Sequence, residues 1–372
     1  MRKKKKRSGL NVFNKMVLVA NIIAVISLLI AYLSSYTDPN NLWVPAFFGL
    51  AYPAILAVNL VFIIYWLISS PRYALLSFLT IAGGWNVLSN YVGFRESSGI
   101  MVPKSSESFI RVLTYNVHNF KQFGDKNDKF TKDQILDIIR KEQPDVLCFQ
   151  EFFSRQRGEY NFRKLIPEIM KSEHYFFQPT IDNGYEATGT AIFSKHPIVR
   201  TGKVPFAKKN WNEAVFADIN YNNKIFRVYN VHFQSINFQP EDYQYLKKVT
   251  KQIDTDVESS RKIGSRLKLA FVKRASQVKI LRSHTDSCKT PYIIAGDFND
   301  TPISYTVHNV SKGLLNAFRE KGSGFGITYN GEFPNFQIDY ILTSPEFTVK
   351  NYLIVKKKLS DHYPVRTDLQ LK

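Results

Sequence analysis

Three long uncharged stretches near the start of the chain constrain its fold more than any other feature. Residues 16–37, 39–71 and 73–94 contain no Asp, Glu, Lys, Arg or His. Each is long enough to cross a hydrocarbon core of ~30 Å as a helix rising about 1.5 Å per residue. The third is the weakest, because Ser, Thr and Asn dilute it. Residues 1–94 are therefore expected to form a membrane anchor with about three transmembrane helices, for which the lipid bilayer is the partner.

A cleaved signal peptide is the alternative interpretation of the first stretch, since MRKKKKR supplies a basic start before an apolar run. Two further apolar runs follow it, and no small-residue cleavage pattern is found near residues 32–36. The sequence favours a permanent anchor.

The orientation of the anchor follows from its basic residues, which are retained on the cytoplasmic side. MRKKKKR predicts a cytoplasmic N-terminus. Three crossings would then place everything after about residue 95 outside the cytoplasm, in the periplasm or the extracellular space. The assignment reverses if the third stretch does not cross.

From residue 109 the pattern changes to short, often alternating apolar runs between turn residues. These runs predict strands at 109–117, 145–151, 189–195, 214–221, 224–233, 292–298, 336–342 and 363–371. Helices are predicted at 132–142 and 267–284. Strands and helices in mixed order are typical of a layered α/β or α+β domain. We expect residues 95–108, which contain Ser, Gly and Pro, to be a linker and residues 109–372 to be one domain.

The composition adds a preference for anionic partners. The formal net charge is +19 over 372 residues, and a basic surface attracts phosphate esters, nucleic acid or lipid head groups. The only two cysteines, Cys148 and Cys288, suggest neither a zinc site nor a disulfide framework. No protein partner is evident from the sequence.

Polar residues recur where predicted strands end. A single Asn or Asp in such a place is usually turn chemistry, but here five strand ends carry them. The residues concerned are Asn116, His118, Glu151, Asn230, His232, Asp297, Asn299, Asp361 and His362. Asp339 lies inside an apolar strand, where a carboxylate needs a partner.

This set of side chains suits one kind of reaction. Carboxylate and amide oxygens without thiolates suit a hard cation such as Mg²⁺ or Mn²⁺, which also contacts substrate phosphate. Histidines and amide N–H groups remain to stabilise the charge of an in-line displacement. The residues therefore predict metal-assisted hydrolysis of a phosphate ester.

The ordered motifs TYNVH, QE, GTAIFSK, NVHF, GDFND, IDYIL and SDHYPV resemble those of the endonuclease/exonuclease/phosphatase superfamily. The resemblance covers roughly residues 109–372. It implies an α/β catalytic domain over these residues, a four-layer sandwich with two facing mixed β-sheets and the active site at one edge of them. This superfamily includes nucleases, sphingomyelinases and inositol polyphosphate phosphatases.

The resemblance also implies roles around the metal. Asn116 and Glu151 match its metal-binding positions, and Asp361 would lie beside the metal. Asp297 would orient or deprotonate the attacking water, and Asn299 would contact the phosphate and hold Asp297.

Further roles concern the phosphate. His362 would contact the scissile phosphate, oriented by Asp339, and His232 would bind phosphate or protonate the leaving group. Asn230 and Arg274 are predicted to bind substrate. For Arg274 the alternative is the polar face of an amphipathic helix.

Two features stay open. His118 is interpreted as a hydrogen-bonded partner within the fold. The insert at residues 236–265 is either a lid or flap beside the site or a solvated surface loop, with equal weight.

The predicted function is a membrane-anchored, metal-dependent phosphodiesterase acting on nucleic acid or a phospholipid head group. The alternatives are a phosphomonoesterase for inositol-phosphate-type substrates and a catalytically silent binding protein of the same fold. The silent alternative predicts lost ligands, yet the motif residues are present.

Overall fold

The computed structural model describes residues 10–95, 104, 108–121, 129–206, 212–252, 256–331 and 335–372. The basic cluster at the N-terminus and most of the expected linker lie outside these residues. The side chains at positions 129 and 250–252 are not described either. Within the described chain, an apolar helical bundle precedes an α/β sandwich.

The apolar N-terminal region is mainly helical. Its elements are α1 (Val12–Leu33), α2 (Val44–Leu50), α3 (Tyr52–Ser69), α4 (Ala74–Gly83), α5 (Trp85–Leu88) and a short strand, β1 (Val92–Phe94). A 3-10 turn at Pro71–Tyr73 joins α3 to α4. Of these helices, α1 and α3 are long and apolar enough to cross a membrane.

The third apolar stretch forms a broken helix. α4 has 10 residues and α5 has 4, and they meet at Gly84, where a Cβ atom would lie on the Tyr32 ring. The residues of β1 then pair with a strand of the following domain. The third transmembrane helix predicted over residues 73–94 is thus interrupted at Gly84 and followed by a strand, because close packing and strand pairing override the hydropathy of this segment.

The bundle has a polar interior and an apolar exterior. Trp66 donates to Asn21 at 2.9 Å, Asn21 donates to Ser77 at 2.7 Å, and Ser77 donates to Asn59 at 2.9 Å. All four residues are fully buried. Leu28 and Tyr52 are also buried, but many large apolar side chains point outward, among them Val12, Phe13, Met16, Val19, Ile23, Ile26, Leu33, Val61, Ile64, Ile68, Phe78 and Leu79. This arrangement is opposite to that of a water-soluble bundle.

The chain passes along the bundle three times. At one end, Asn14 near the start of α1 donates to Ser69 at the end of α3. At the opposite end, Tyr52 at the start of α3 stacks on Tyr91, which follows α5. The chain therefore leaves the bundle at the end opposite to the start of α1.

The domain that follows alternates strands and helices. In chain order the elements are β2 (Ile110–Asn116), α6 (Lys129–Glu142), β3 (Val146–Arg155), α7 (Phe162–Met170), β4 (His174–Asp182), β5 (Glu186–Ser194), β6 (Ile198–Val204), β7 (Ala214–Tyr221), β8 (Lys224–His232), α8 (Pro240–Gln252), α9 (Val257–Asp286), β9 (Tyr292–Asp297), α10 (Tyr305–Val310), β10 (Leu315–Asn316), α11 (Ala317–Lys321), β11 (Ser323–Phe325), β12 (Asp339–Thr343), β13 (Phe347–Ile354) and β14 (Val365–Leu371).

Two six-stranded sheets face each other. Their strand orders are β10-β12-β9-β8-β7-β6 and β13-β14-β2-β3-β5-β4. Each sheet is mixed, because β8–β9 and β2–β3 are parallel pairs among antiparallel neighbours. A separate two-stranded sheet joins β1 to β11.

Successive side chains of the central strands point to opposite faces of their sheet and so pack in different layers of the sandwich. In β2, Val112 packs between the two sheets, whereas Leu113 packs towards α6 and α7. In β9, Ile293 packs between the sheets and Ile294 packs in the cluster that includes residues of α9 and α10. Because both faces are covered, these strands are apolar throughout. The predicted four-layer α/β sandwich with two mixed sheets is confirmed.

The parallel pairs decide where function can lie. Neighbouring parallel strands run towards the same edge of a sheet. β8 and β9 end together at His232 and Asp297, whereas β2 ends at Asn116 beside Gln150 and β3 continues to Arg155. Asn116 contacts both Glu151 and Asp297, so the end of β2, the middle of β3 and the ends of β8 and β9 meet at one edge of the sandwich.

The eight predicted strands and the first predicted helix agree with the structure within a few residues. The second predicted helix, 267–284, is found within α9, which begins ten residues earlier at Val257. The insert at residues 236–265 is not a plain surface loop, because it contains α8 and the first turns of α9. Ile263 and Leu267 of α9 pack against Phe47 and Leu50 of α2.

A buried ion pair joins β14 to β2. Removing it tests how much this pair contributes to the stability of the sandwich. Arg111 donates to both carboxylate oxygens of Asp368 at 2.7 and 2.9 Å. We expect Asp368→Ala to lower the free energy of unfolding by about 3–5 kcal/mol, because the guanidinium stays buried without its partner. Chemical denaturation of the detergent-purified protein measures this loss.

The matched control is Asp137→Ala, which removes an exposed pair with Lys141 on α6. Its expected cost is below about 1 kcal/mol. Equal losses for the two variants would contradict the prediction.

Candidate active site

Polar side chains from both sheets converge where the parallel strands end. Asn116 ends β2, His232 ends β8, and Asp297 ends β9. Glu151 lies within β3, opposite the end of β2. His362 joins them from the loop before β14.

Asn116 links the two sheets at this edge. Its Nδ2 donates to Glu151 Oε1 and to Asp297 Oδ2, each at 3.2 Å. Its Oδ1 accepts the backbone N–H of His118 at 3.1 Å. The side chain is therefore fixed between two carboxylates and is buried.

Glu151 is turned out of its strand by the local backbone. Its φ is +49°, and the pairing of β3 with β5 shifts register between Phe149 and Phe152. The side chain is 31% exposed, towards the site. Burial favours the neutral acid, but hydrogen bonds and charge from His118 and His232 outweigh it and lower the pKa of Glu151 to about 2. This carboxylate is ionised at neutral pH.

Asp297 is held by the backbone turn that follows β9. The N–H of Asn299 donates to Asp297 Oδ1 at 2.8 Å, and Asn299 Nδ2 donates to Oδ2 at 3.0 Å. The turn needs Gly296, because its φ is +144° and a Cβ atom would lie 2.0 Å from the Val231 carbonyl oxygen. Burial raises the pKa of Asp297 to about 6, against the opposing charge of His362.

His362 and Asp339 form a buried pair beside Asp297. The His362 Nδ1 lies 2.9 and 3.1 Å from the two Asp339 oxygens, and its Nε2 lies 3.7 Å from Asp297 Oδ2. Burial alone would lower the pKa of His362, but Asp339, Asp297 and Asp361 raise it well above its usual value. His362 therefore directs a cationic Nε2 towards the Asp297 carboxylate.

His232 ends β8, beside Asp297 on the neighbouring strand β9, and faces Glu151 of the other sheet. Its Nε2 lies 3.7 Å from Asp297 Oδ2 and 3.9 Å from Glu151 Oε1. His232 and His362 thus flank Asp297.

Asp361 and His118 complete the site on its open side. The Asp361 side chain is 18% exposed, and its Oδ1 lies 3.9 Å from His118 Nδ1. His118 Nδ1 also lies 3.4 Å from Glu151 Oε2, and its hydrogen bond with Glu151 raises the pKa of His118. His118 thus lies in the site, whereas the sequence predicted only a hydrogen-bonded partner within the fold. Its position two residues after Asn116 was the available signal, but the positive φ of +41° that turns it inward is not visible in the sequence.

Two predicted substrate contacts do not reach the site. Asn230 is fully buried between the sheets, where its amide binds the carbonyls of Phe149 and Ala191 and accepts from Gln150. The substrate contact predicted for Asn230 is therefore corrected to an inter-sheet hydrogen-bond role, since no polar atom of this side chain is open to a ligand.

Arg274 is likewise buried on α9. It donates to Asp300 Oδ2 at 2.9 Å and to the Gln234 carbonyl at 2.9 Å. The predicted substrate contact is corrected to a structural ion pair that holds the loop after Asn299.

The carboxylates on the open side fit a hard divalent cation. Glu151 and Asp361 present carboxylate oxygens without thiolates, which suits Mg²⁺ or Mn²⁺. Asn116 lies beside Glu151 but turns its Nδ2 towards it. Asp297, Asp339 and His362 also lie within 4.8 Å of one another. Asp339 already occupies the Nδ1 of His362, so the more accessible donors are those around Glu151.

Comparisons with known proteins match both parts of the chain. Residues 113–362 match the model of the endonuclease/exonuclease/phosphatase family, and residues 14–91 match a model described as a domain of unknown function. Over 234 residues the chain is 25% identical to a DNA-(apurinic or apyrimidinic site) endonuclease of Dictyostelium discoideum, covering 63% of this chain and 52% of that protein. The chain thus spans about half the length of that relative.

Solved structures with a similarity to the sandwich include two that differ in source. An endonuclease/exonuclease/phosphatase from Beutenbergia cavernae superposes with a TM-score of 0.52 at 20% identity, covering 71% of this chain and 72% of that chain. The human Nocturnin catalytic domain with bound sulfate gives a TM-score of 0.49 at 18% identity, covering 72% and 96%. With the family match over most of the sandwich, the resemblance seen in the sequence is confirmed: the chain belongs to the endonuclease/exonuclease/phosphatase family of phosphate-ester hydrolases.

Proposed function

We propose that this protein is a membrane-anchored phosphodiesterase that depends on a divalent cation and uses water as the nucleophile. Its substrate is a phosphodiester of nucleic acid or of a phospholipid head group. The observation that carries the proposal is the convergence of Asn116, Glu151, His232, Asp297 and His362 at one edge of the sandwich.

In this proposal Asp297 acts as the general base. A water oxygen bonds to phosphorus while the bond from phosphorus to the leaving oxygen breaks, and Asp297 accepts the proton of the water. A carboxylate whose pKa is raised to about 6 suits this role, because a base is most effective when its pKa approaches the working pH. Asn299 holds the carboxylate through two hydrogen bonds.

The two histidines beside Asp297 donate to oxygens of the phosphate ester. The cationic Nε2 of His362 donates to a nonbridging oxygen, and Asp339 fixes the orientation of its ring. His232, on the other side of Asp297, protonates the leaving oxygen. Preorganised donors of this kind stabilise developing charge without reorganising during the reaction.

Asn116, Glu151 and Asp361 would hold the cation. A bound Mg²⁺ or Mn²⁺ would neutralise phosphate charge and polarise its P–O bonds. Glu151 is suited to this role because its carboxylate is ionised and partly exposed.

The inverted polarity of the N-terminal bundle supports the membrane anchor. Its exposed surface is apolar, and its polar side chains bind one another inside, as expected when helices associate in lipid. In this proposal residues 1–94 are the anchor, residues 95–108 the linker, and residues 109–372 the catalytic domain.

The catalytic domain is proposed to lie outside the cytoplasm. Although α4 and α5 are interrupted at Gly84, the chain still leaves the bundle at the end opposite to the start of α1. The basic cluster MRKKKKR precedes α1 and favours a cytoplasmic N-terminus.

Replacing Asp297 by Asn tests the general base. We expect kcat to fall by about 10²–10⁴-fold, because the amide cannot accept the proton of the water. Hydrolysis of bis-p-nitrophenyl phosphate in Mg²⁺ measures the loss. Asp133→Asn, at an exposed position of α6, is the control and should retain full activity. Wild-type rates for Asp297→Asn would rule out this base.

Glu151→Gln tests the cation site separately from the chemistry. We expect the apparent affinity for Mg²⁺ to fall by about 10-fold or more, because a charged oxygen ligand becomes neutral. Isothermal titration calorimetry measures binding directly, and titration of activity with Mg²⁺ after EDTA treatment provides a second measurement. Glu168→Gln, exposed on α7, should leave both unchanged; an unchanged affinity in Glu151→Gln would place the cation elsewhere.

The sidedness of the domain has its own test. A peptide tag fused to the C-terminus should be cleaved by an external protease in intact cells or, for a periplasmic location, after permeabilisation of the outer membrane. A tag at the N-terminus should stay protected under the same conditions, because it lies in the cytoplasm. Protection of the C-terminal tag alongside the N-terminal one would contradict the proposed orientation.

A further inference from the structure

The loop that follows Asn299 rests on the end of the membrane bundle. Ser34 and Ser35, just after α1, both donate their hydroxyls to the Ile303 carbonyl, at 2.9 and 2.7 Å. The Ile303 side chain packs in the same apolar cluster as Tyr52. One short loop therefore joins the reaction centre to the end of α1.

The length of this loop limits the distance from the site to the bilayer. Ile303 lies four positions after Asn299, so their Cα atoms lie at most about 14 Å apart. α1 has 22 residues and is about 33 Å long, which matches a hydrocarbon core of ~30 Å. In the proposed anchor its end lies at the edge of the core, and head groups occupy roughly the next 5–7 Å. Asn299 therefore lies within about 14 Å of a residue at the level of the head groups.

α9 runs across the end of the bundle. Lys268 lies over the Trp43 ring at 4.8 Å, Phe271 packs edge-to-face on Phe47 at 5.3 Å, and Lys279 pairs with Asp38. Positions 268 and 279 are about three helical turns apart, or ~16 Å. This part of α9 thus follows the level at which the bundle meets head groups.

The helical hairpin formed by α8 and α9 also reaches the active site. Tyr243 of α8 interacts with Tyr329, and the Tyr329 ring lies 5.3 Å from that of His362. Leu246 of α8 packs in the cluster that joins α9 to α2. α8 therefore connects Tyr329, beside His362, to the helices of the proposed anchor.

The exposed surface of this hairpin carries positive charge. Lys248, Arg261, Lys268 and Lys273 are exposed, and basic residues near a membrane surface attract anionic lipids. Such charges also attract nucleic acid. Lipid head groups, however, lie beside this surface in the proposed anchor, whereas a nucleic acid would have to reach it from solution. Position therefore favours lipid over nucleic acid.

We propose that the substrate is a phosphate ester carried by a lipid of the adjacent leaflet, presented to the site along the hairpin of α8 and α9. This inference rests on the proposed function and narrows its substrate class. The tether keeps enzyme and substrate at high effective concentration, and the short loop lets a head group reach Asn299 while its acyl chains stay in the bilayer.

The test compares each lipid with its own water-soluble head group. Full-length protein is reconstituted into phosphatidylcholine vesicles that contain phosphatidylglycerol, sphingomyelin or a phosphatidylinositol phosphate. The deacylated head group of each lipid is assayed at the same concentration, with bis-p-nitrophenyl phosphate as a reporter of the active site. At least one lipid should be hydrolysed about 10-fold faster or more than its soluble counterpart.

The failures of the two proposals are distinguishable. Cleavage of the reporter without any preference for a lipid would overturn the lipid substrate and leave the phosphodiesterase in place. No cleavage of the reporter in Mg²⁺ or Mn²⁺ would overturn the proposed function itself. Hydrolysis of DNA or RNA faster than every lipid would assign the site to nucleic acid.

A charge reversal tests the hairpin surface. Lys268→Glu should lower lipid hydrolysis relative to reporter hydrolysis by about fivefold or more, because it repels anionic head groups. Lys289→Glu makes the same change at an exposed position beyond the end of α9 and should leave the ratio unchanged. Equal ratios in the two variants would exclude α9 as the lipid-facing surface.

Discussion

Four carboxylates share one edge of the sandwich, and the repulsion among them is the constraint on which the rest of the site depends. Each is stabilised in a different way. Asp339 is paired with His362, Asp297 is surrounded by hydrogen-bond donors and retains a raised pKa, and Glu151 is ionised and partly open with Asp361. Environments that separate the pKa values of neighbouring acids also separate their roles. Orientation, proton transfer and cation binding therefore fall to different members of one cluster.

The centre of the fold could be predicted from the sequence because it is decided locally. Strands covered on both faces are recognisable as apolar runs, and the eight predicted strands include all four that carry the parallel pairs. The polar residues that end these strands could be grouped for the same reason, since parallel strands deliver their carboxyl ends to one edge. Four strands of the two sheets were missed, namely β4, β6, β10 and β13, and all four are edge strands. β4 and β6 have little buried surface and therefore lack an apolar pattern, and β10 has only two residues.

The sequence could not predict which groups the polar side chains bind in the folded protein. Asn230 has the same local signature as Asn116, a strand-end amide, yet it points between the sheets and binds carbonyls there. Arg274 is a residue type that often binds phosphate, but its guanidinium donates to Asp300, a buried acid 26 positions further along the chain. His118 depends on a left-handed backbone. Each of these outcomes is set by tertiary contacts rather than by local pattern.

The pairing of β1 with β11 means that the boundary between the apolar segment and the sandwich is not a physical division. Gly93 pairs with Gly324, Tyr91 stacks on Tyr52, and Ile303 is covered by residues of the bundle. A fragment cut after residue 95 would leave β11 as an unpaired edge and Ile303 as an uncovered apolar surface. Both are features that promote aggregation. The apolar bundle is thus part of the same folding unit as the sandwich, and one hydrophobic cluster joins its helices to the loop that follows the candidate active site.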